Sequence, residues 1–261
     1  MMNKFNGDVT WNHNLNETPY NSRTSLYHKI TNYLDDINNI CDYEFDVIER
    51  IGSESQYGEV FLIHSKTNEK LSFVVKLLPI INKNSLETNE NEINIAIQAS
   101  QLVLEGQSKH FLIVYDSKLC SETIFYNSKL TTKSKKYQNN NLKSYLLISE
   151  LALCDLKQYL SIKVIDETEW IYIIKECTSA IHDMHSKLGV CHNDLHLGNF
   201  LILKNEKKNQ DCNYNILIHD FGKADFREVY QELDIKFFIE CLLEVQYIPI
   251  KIKTYLLSLN Y

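Results

Sequence analysis

The spacing of apolar and polar positions divides the chain into a β-rich first half and a helical second half. Residues 24–41 set Leu26, Ile30, Tyr33, Leu34, Ile37 and Ile40 three and four apart, which predicts a short amphipathic helix. From residue 43 the period shortens, and 45–51, 58–64 and 71–77 read as strands, the last centred on Phe73-Val74-Val75. Helical spacing returns over 84–104. Ile93, Ala96, Ile97 and Val103 lie on its apolar face, while Glu87, Glu90 and Glu92 occupy the half where the helix dipole favours anions. Two further strands are predicted at 111–115 and 145–148. The lysine- and asparagine-rich stretch between them, 116–142, reads as a solvated loop.

Residues 149–152 are short enough to be a connector, and helical spacing begins again at 155–159. It is clearest over 168–187, where Trp170, Ile171, Ile174, Cys177, Ile181, Met184 and His185 form one stripe behind an Asp-Glu-Thr-Glu start. Strands 201–203 and 216–218 flank a polar insertion, and 232–245 and 251–259 supply the last helices. No internal repeat is visible.

Composition adds exclusions. At 261 residues, 44% hydrophobic and 23% charged, with seven Gly and three Pro, the chain has the make-up of an ordered protein of one large domain or two lobes. No apolar run approaches membrane-spanning length. A net charge of -7 argues against nucleic acid as a main partner, because phosphate binding needs a basic face. The first twenty residues lack the basic-then-apolar layout of a signal peptide, so a cytoplasmic location is expected. Seven scattered cysteines without a C-x-x-C pair are expected to be reduced thiols rather than a zinc or disulfide framework.

The chemistry is concentrated in two polar loops. Residues 191–200 read Cys-His-Asn-Asp-Leu-His-Leu-Gly-Asn-Phe, and His219-Asp220-Phe221-Gly222 follows the strand at 216–218. Upstream, Gly52-Ser53-Glu54-Ser55-Gln56-Tyr57-Gly58 is a turn between strands. Its glycines would let backbone N–H groups approach phosphate oxygens, and an ordinary hairpin loop fits it as well. Lys76 stands on the following strand. A glycine turn, a strand lysine, a helix glutamate, a connector, a helix, His-x-Asp-x-x-x-x-Asn and Asp-Phe-Gly, in this order, resemble the protein kinase superfamily over about residues 43–222.

The resemblance implies an α+β, bilobal protein kinase-like fold. A β-rich N-lobe (43–148) would be followed by a short, mainly helical C-lobe (149–261) and preceded by an extension with a short helix (1–42). It implies an ATP- and Mg2+-dependent phosphotransferase, in the first place a serine/threonine protein kinase. Lys76 would contact the α and β phosphates and pair with Glu92, or failing that Glu90. Asp194 would orient the acceptor and take its proton, Asp220 and Asn199 would hold Mg2+, and His192 would pack against Asp-Phe-Gly. Ile51, Gly52, Gly58 and Val60 would cover the nucleotide, and Glu150 and Ala152 would offer backbone groups to adenine. Asp155 fits either a ribose contact or a helix N-cap.

The departures are equally informative. Glu54 stands where the family usually has its middle glycine. Asn193 replaces the arginine that commonly reads a phosphorylated activation segment, and that segment is nearly missing between Gly222 and Asp234, the best match to the family's late anchoring aspartate. His196 stands where Ser/Thr kinases carry a lysine, which makes this loop similar to that of aminoglycoside and choline phosphotransferases. It could stabilise the transferred group or only pack. Only 39 residues follow Gly222. The implied partner is a protein substrate, with control by a partner protein or constitutive activity. A small-molecule kinase and a kinase-like binding module are the rival readings. Compact kinases of this kind resemble those of large DNA viruses and secreted bacterial effectors, which would act in a host cytosol.

Overall fold

The computed structural model describes residues 20–37, 39–41, 46–51, 58–65, 71–121, 143–204, 214–226 and 231–258. The fold is α+β. The larger sheet is antiparallel, with strand order β1 (Asp46–Ile51), β2 (Glu59–His64), β3 (Ser72–Pro79), β5 (Ser144–Ser149) and β4 (Val114–Cys120). Helix α1 (Tyr20–Asp35) precedes it, and α2 (Lys83–Leu104) follows β3. The rest comprises β6 (Cys154–Asp155), α3 (Leu156–Ile162), α4 (Glu167–Asp183), β7 (Phe200–Lys204), β8 (Tyr214–Ile218), α5 (Gln231–Leu243) and α6 (Ile250–Ser258). Strands β6, β7 and β8 form a small second sheet.

Strand β3 is paired on both sides, and only Ser72 and Lys76 in it escape full burial. A strand covered on both faces carries a continuous apolar run rather than an alternating one. Lys76 is therefore the one charge on β3, the middle strand of the sheet. Helix α2 starts at a capping box, with Asn82 accepting from the Ser85 N–H and Ser85 Oγ accepting from the Asn82 N–H, both at 2.9 Å. Its buried stripe includes Glu92, Ile93, Ala99 and Val103, whereas Ile97 falls at the rim and is exposed. In α4 the buried stripe runs through Trp170, Ile173, Ile174, Cys177 and Ile181, so Ile171, expected on it, faces solvent.

The strand expected at 111–115 begins later, at Val114, and runs to Cys120, into the stretch expected to be loop. Phe111 makes only a single parallel bridge with Ile218. Side chains satisfy this backbone instead of a ladder. Arg23 donates to the carbonyls of Lys109 (3.3 Å) and Phe111 (2.7 Å), and the Ile113 N–H donates to the Glu150 carboxylate at 2.6 Å.

Helix α1 is part of the core. Its Ile30, Tyr33 and Leu34 lie in the same apolar cluster as Phe61 and Phe73 of the sheet. From the same helix Arg23 donates to both carboxylate oxygens of Glu150, through Nε at 3.0 Å and through Nη2, and both residues are buried. A rigid guanidinium fork suits such a bidentate pair. A second tie is covalent. Cys41 and Cys120 form a disulfide with Cα atoms 5.5 Å apart, which corrects the expectation that all seven cysteines are reduced. The two lie 79 residues apart, and only the return of the chain from α1 to the end of β4 brings them together. Disulfides persist mainly in oxidising compartments, so the cysteines lend the expected cytoplasmic location no support. Among the described residues no helix is long and apolar enough to cross a membrane.

Removing Arg23 would leave the Glu150 carboxylate buried and unpaired, so Arg23→Ala is expected to lower the unfolding free energy by about 3 kcal/mol in urea titrations. Peptide mapping without reductant is expected to recover Cys41 linked to Cys120. Reduction should destabilise the protein by up to about 4 kcal/mol in the chain-entropy account of a loop this long.

Candidate active site

Lys76 faces Val60 across β2 and Leu147 across β5. Its ammonium lies 2.5 Å from Glu92 Oε1 and 2.8 Å from Asp220 Oδ1. Glu92 thus takes the place proposed for it, while Glu90 accepts from the Tyr145 hydroxyl at 2.9 Å. Burial opposes the charge on Lys76, but Glu92 and Asp220 outweigh it and hold the ammonium above the ordinary lysine range. Burial raises the Glu92 carboxyl, with Lys76 pulling it back only in part. At Asp220 burial is outweighed by Lys76 and then His219, so this carboxyl is held well below its usual range. Two-fifths of the Asp220 side chain is exposed, and water screens part of that attraction.

Backbone geometry is special here. Asp220 and Asn193 are the two non-glycine residues with positive φ among the described residues, at 66° and 62°. Asp and Asn adopt this region at lower cost than bulkier side chains. At Gly222 a Cβ would stand 3.2 Å from Glu92 Oε2, so the turn after Asp220 approaches that carboxylate closely because it carries no side chain.

The loop bearing Asp194 hangs from α5. The buried Asp234 carboxylate accepts from the N–H groups of His192 and Asn193, each at 2.8 Å, and from His185 Nε2 at 3.0 Å. Asn199 closes the loop by donating from Nδ2 to the Asp194 carbonyl at 2.8 Å. The segment after Gly222 is clasped to it twice. Cys191 and Asp225 exchange backbone hydrogen bonds of 2.7 and 2.9 Å, and Asn193 Nδ2 donates to the Lys223 carbonyl at 3.0 Å. Between these elements the Lys223 ammonium lies 2.9 Å from Asp194 Oδ2.

The histidines brace this arrangement. His192 is fully buried, donates from Nε2 to the His219 carbonyl at 2.9 Å, and has its ring 5.5 Å from that of Phe221. His219 donates from Nε2 to the Gly198 carbonyl at 3.1 Å. His196 Nδ1 accepts from the Gly198 N–H at 3.1 Å and so caps the 3-10 turn Leu197–Asn199.

The nucleotide-side candidates are only partly gathered. Ile51 and Val60 pack with Leu62, Val74 and Leu151 in a small apolar cluster apart from the main core. Gly52 and Glu54 lie outside the described residues. Gly58 is buried against β3, where a Cβ would meet the Leu77 carbonyl at 2.5 Å. Glu150 does not offer its N–H, which donates to the Ile113 carbonyl at 2.9 Å, and its carboxylate holds Arg23. Its carbonyl and the half-buried Ala152 are left as candidate contacts. Asp155 accepts from the Gln158 N–H at 2.7 Å as the N-cap of α3, the second of its two alternatives.

Three residues of this region go unpredicted from the sequence: Arg23, Lys223 and the clasping role of Asn193. Only Lys223 has a local signal, because it directly follows Asp-Phe-Gly while residue 196 supplies no lysine. No protein-family model and no curated protein matches the chain.

Burial disfavours the cationic form of His110, His192 and His219, and pushes His219 down to about 4. The unfolded chain takes up these protons near 6.5, whereas the folded chain stays neutral until lower pH. For His219 the contribution to stability is therefore complete above 6.5 and lost as pH falls toward 4, with a slope approaching about 1.4 kcal/mol per pH unit in that window; His110 and His192 act in the same direction. Denaturant unfolding at several pH values in this range is expected to show the decline, with a shallower slope for His219→Asn.

Proposed function

We propose that the chain is an ATP- and Mg2+-dependent phosphotransferase on a bilobal protein kinase-like fold, with a serine or threonine hydroxyl of a protein as acceptor. One observation carries the reading: a single ammonium, Lys76, joins the carboxylates of Glu92 on α2 and Asp220 before Phe221-Gly222. The strand order β1-β2-β3-β5-β4, the position of α2 between β3 and β4, and the Asp234 carboxylate beneath the loop support it.

Phosphoryl transfer needs positive charge on the phosphates and a hydroxyl held in line, and little else from the protein. Lys76, charged at any physiological pH, would hold the α and β phosphates. Ile51, Val60 and Leu151 would cover the base. Asp194 would orient the acceptor hydroxyl and take its proton. Asp220 and Asn199 would hold Mg2+, which when bound neutralises phosphate charge. The fit is reasonable, because Mg2+ usually takes one or two carboxylates together with phosphate oxygens and water rather than an all-protein cage. Among the described residues no three His, Cys, Asp or Glu side chains gather into such a cage.

Asp194, Glu240 and Glu244 lie close enough to the Cys241 thiol on α5 to raise it further after burial, and Lys223 pairs with Asp194. Carboxylates on this side would suit a cationic acceptor. A basic protein segment is one, and a cationic small molecule of aminoglycoside type is the second reading.

Purified protein with labelled ATP, Mg2+ and basic protein substrates is expected to transfer label. Asp194→Asn should abolish transfer while keeping Mg-ATP binding, and Asp220→Ala should lower kcat/KM by at least about 100-fold. Nucleotide binding by the wild type with no transfer to any acceptor would make it a kinase-like binding module instead.

A further inference from the structure

We propose that Lys223 is a catalytic residue whose ammonium, parked on Asp194, neutralises the phosphoryl group in transit. The proposal rests on the phosphotransferase reading above. Its first support is placement. Lys223 Nζ is 2.9 Å from Asp194 Oδ2, and the two side chains are 52% and 27% exposed, so the pair stands at an open surface rather than in the core. A pair this exposed contributes little to stability, and its position calls for another explanation.

The second support is that both halves of the site fix where residue 223 sits. Asp220 opens the 3-10 turn Phe221–Lys223, and Asn193, beside Asp194, donates to the Lys223 carbonyl at 3.0 Å. The backbone is set while a long, flexible side chain reaches the carboxylate. The third support concerns the neighbouring groups. Lys76 pairs with Glu92 and Asp220, and Nδ1 of His196 caps its own turn. Phosphoryl transfer develops charge on three equatorial oxygens beside the acceptor, and Lys223 brings a cation there.

In the step, the acceptor O–H bond breaks and its proton passes to Asp194. The acceptor oxygen uses that electron pair to bond to the γ phosphorus. The bond from phosphorus to the bridging oxygen breaks, and its pair leaves with the nucleoside diphosphate. The Lys223 ammonium, held at Asp194, is then beside the phosphoryl oxygens when they carry the most charge.

Calorimetric titration with Mg-ADP, with and without aluminium fluoride as a mimic of the phosphoryl group in transit, separates this role from a structural one. Lys223→Met is expected to keep Mg-ADP affinity within about twofold but to lose about 100-fold of the tightening that aluminium fluoride brings. Its kcat should fall by a similar factor with KM for ATP nearly unchanged, and Lys223→Arg should recover part of both. Unchanged tightening and kcat in Lys223→Met would overturn the proposal. Faster transfer would do so too, because the ammonium would then be masking Asp194. A wild type that binds Mg-ADP yet shows neither tightening nor transfer would overturn the phosphotransferase reading, and this proposal with it.

Discussion

The ammonium of Lys76 is the constraint around which the molecule is arranged. A lysine in the middle of a doubly covered strand loses hydration that only nearby negative charge can replace. Glu92 and Asp220 replace it, and so the position of α2 against the sheet and the turn at Asp220 become conditions for burying one cation. The two carboxylates are not equivalent. Glu92 is buried, and Lys76 offsets part of the burial that disfavours its charge, whereas Asp220 keeps contact with water. Lys76 is thus held by one arm sealed in the interior and one open to solvent.

The same division between sealed and open groups continues below. Asp234 and Asn199 act on backbone groups and set the shape of the loop, while Asp194 and Lys223 present side chains at its open edge. Asn193 works on the backbone as well, its short amide in a left-handed conformation reaching the Lys223 carbonyl. The clasp needs no modification to form, which agrees with a chain whose segment between Gly222 and Asp234 is so brief.

How much of this was legible in the sequence depended on distance along the chain. Asp194, Asn199 and Asp220 are set in short runs whose chemistry is dense, and Glu92 followed from helical phase relative to Ile93 and Ala96. The apolar run around Lys76 also marked it as a strand residue. Arg23 carried no such signal, because its partner Glu150 is 127 residues away and an arginine in a polar N-terminal stretch looks like any solvated one. The late start of β4 is hidden for the same reason, since the side chains that replace its ladder come from α1 and from residue 150. Helical phase misplaced Ile97 and Ile171 at the edges of their stripes, where one position of rotation separates buried from exposed. Lys223 resembles any surface lysine until the fold brings it to Asp194.

The bond between Arg23 and Glu150 makes the first helix an internal ligand of the connector. Residues 149–152 join the larger sheet to the helical half, and their geometry is set from behind by a guanidinium that also holds the carbonyls of Lys109 and Phe111. Helix α1 is therefore a wedge rather than an appendage. A shortened protein beginning at the first strand would keep every motif residue, yet it would lack both the counter-charge behind its connector and one half of its disulfide.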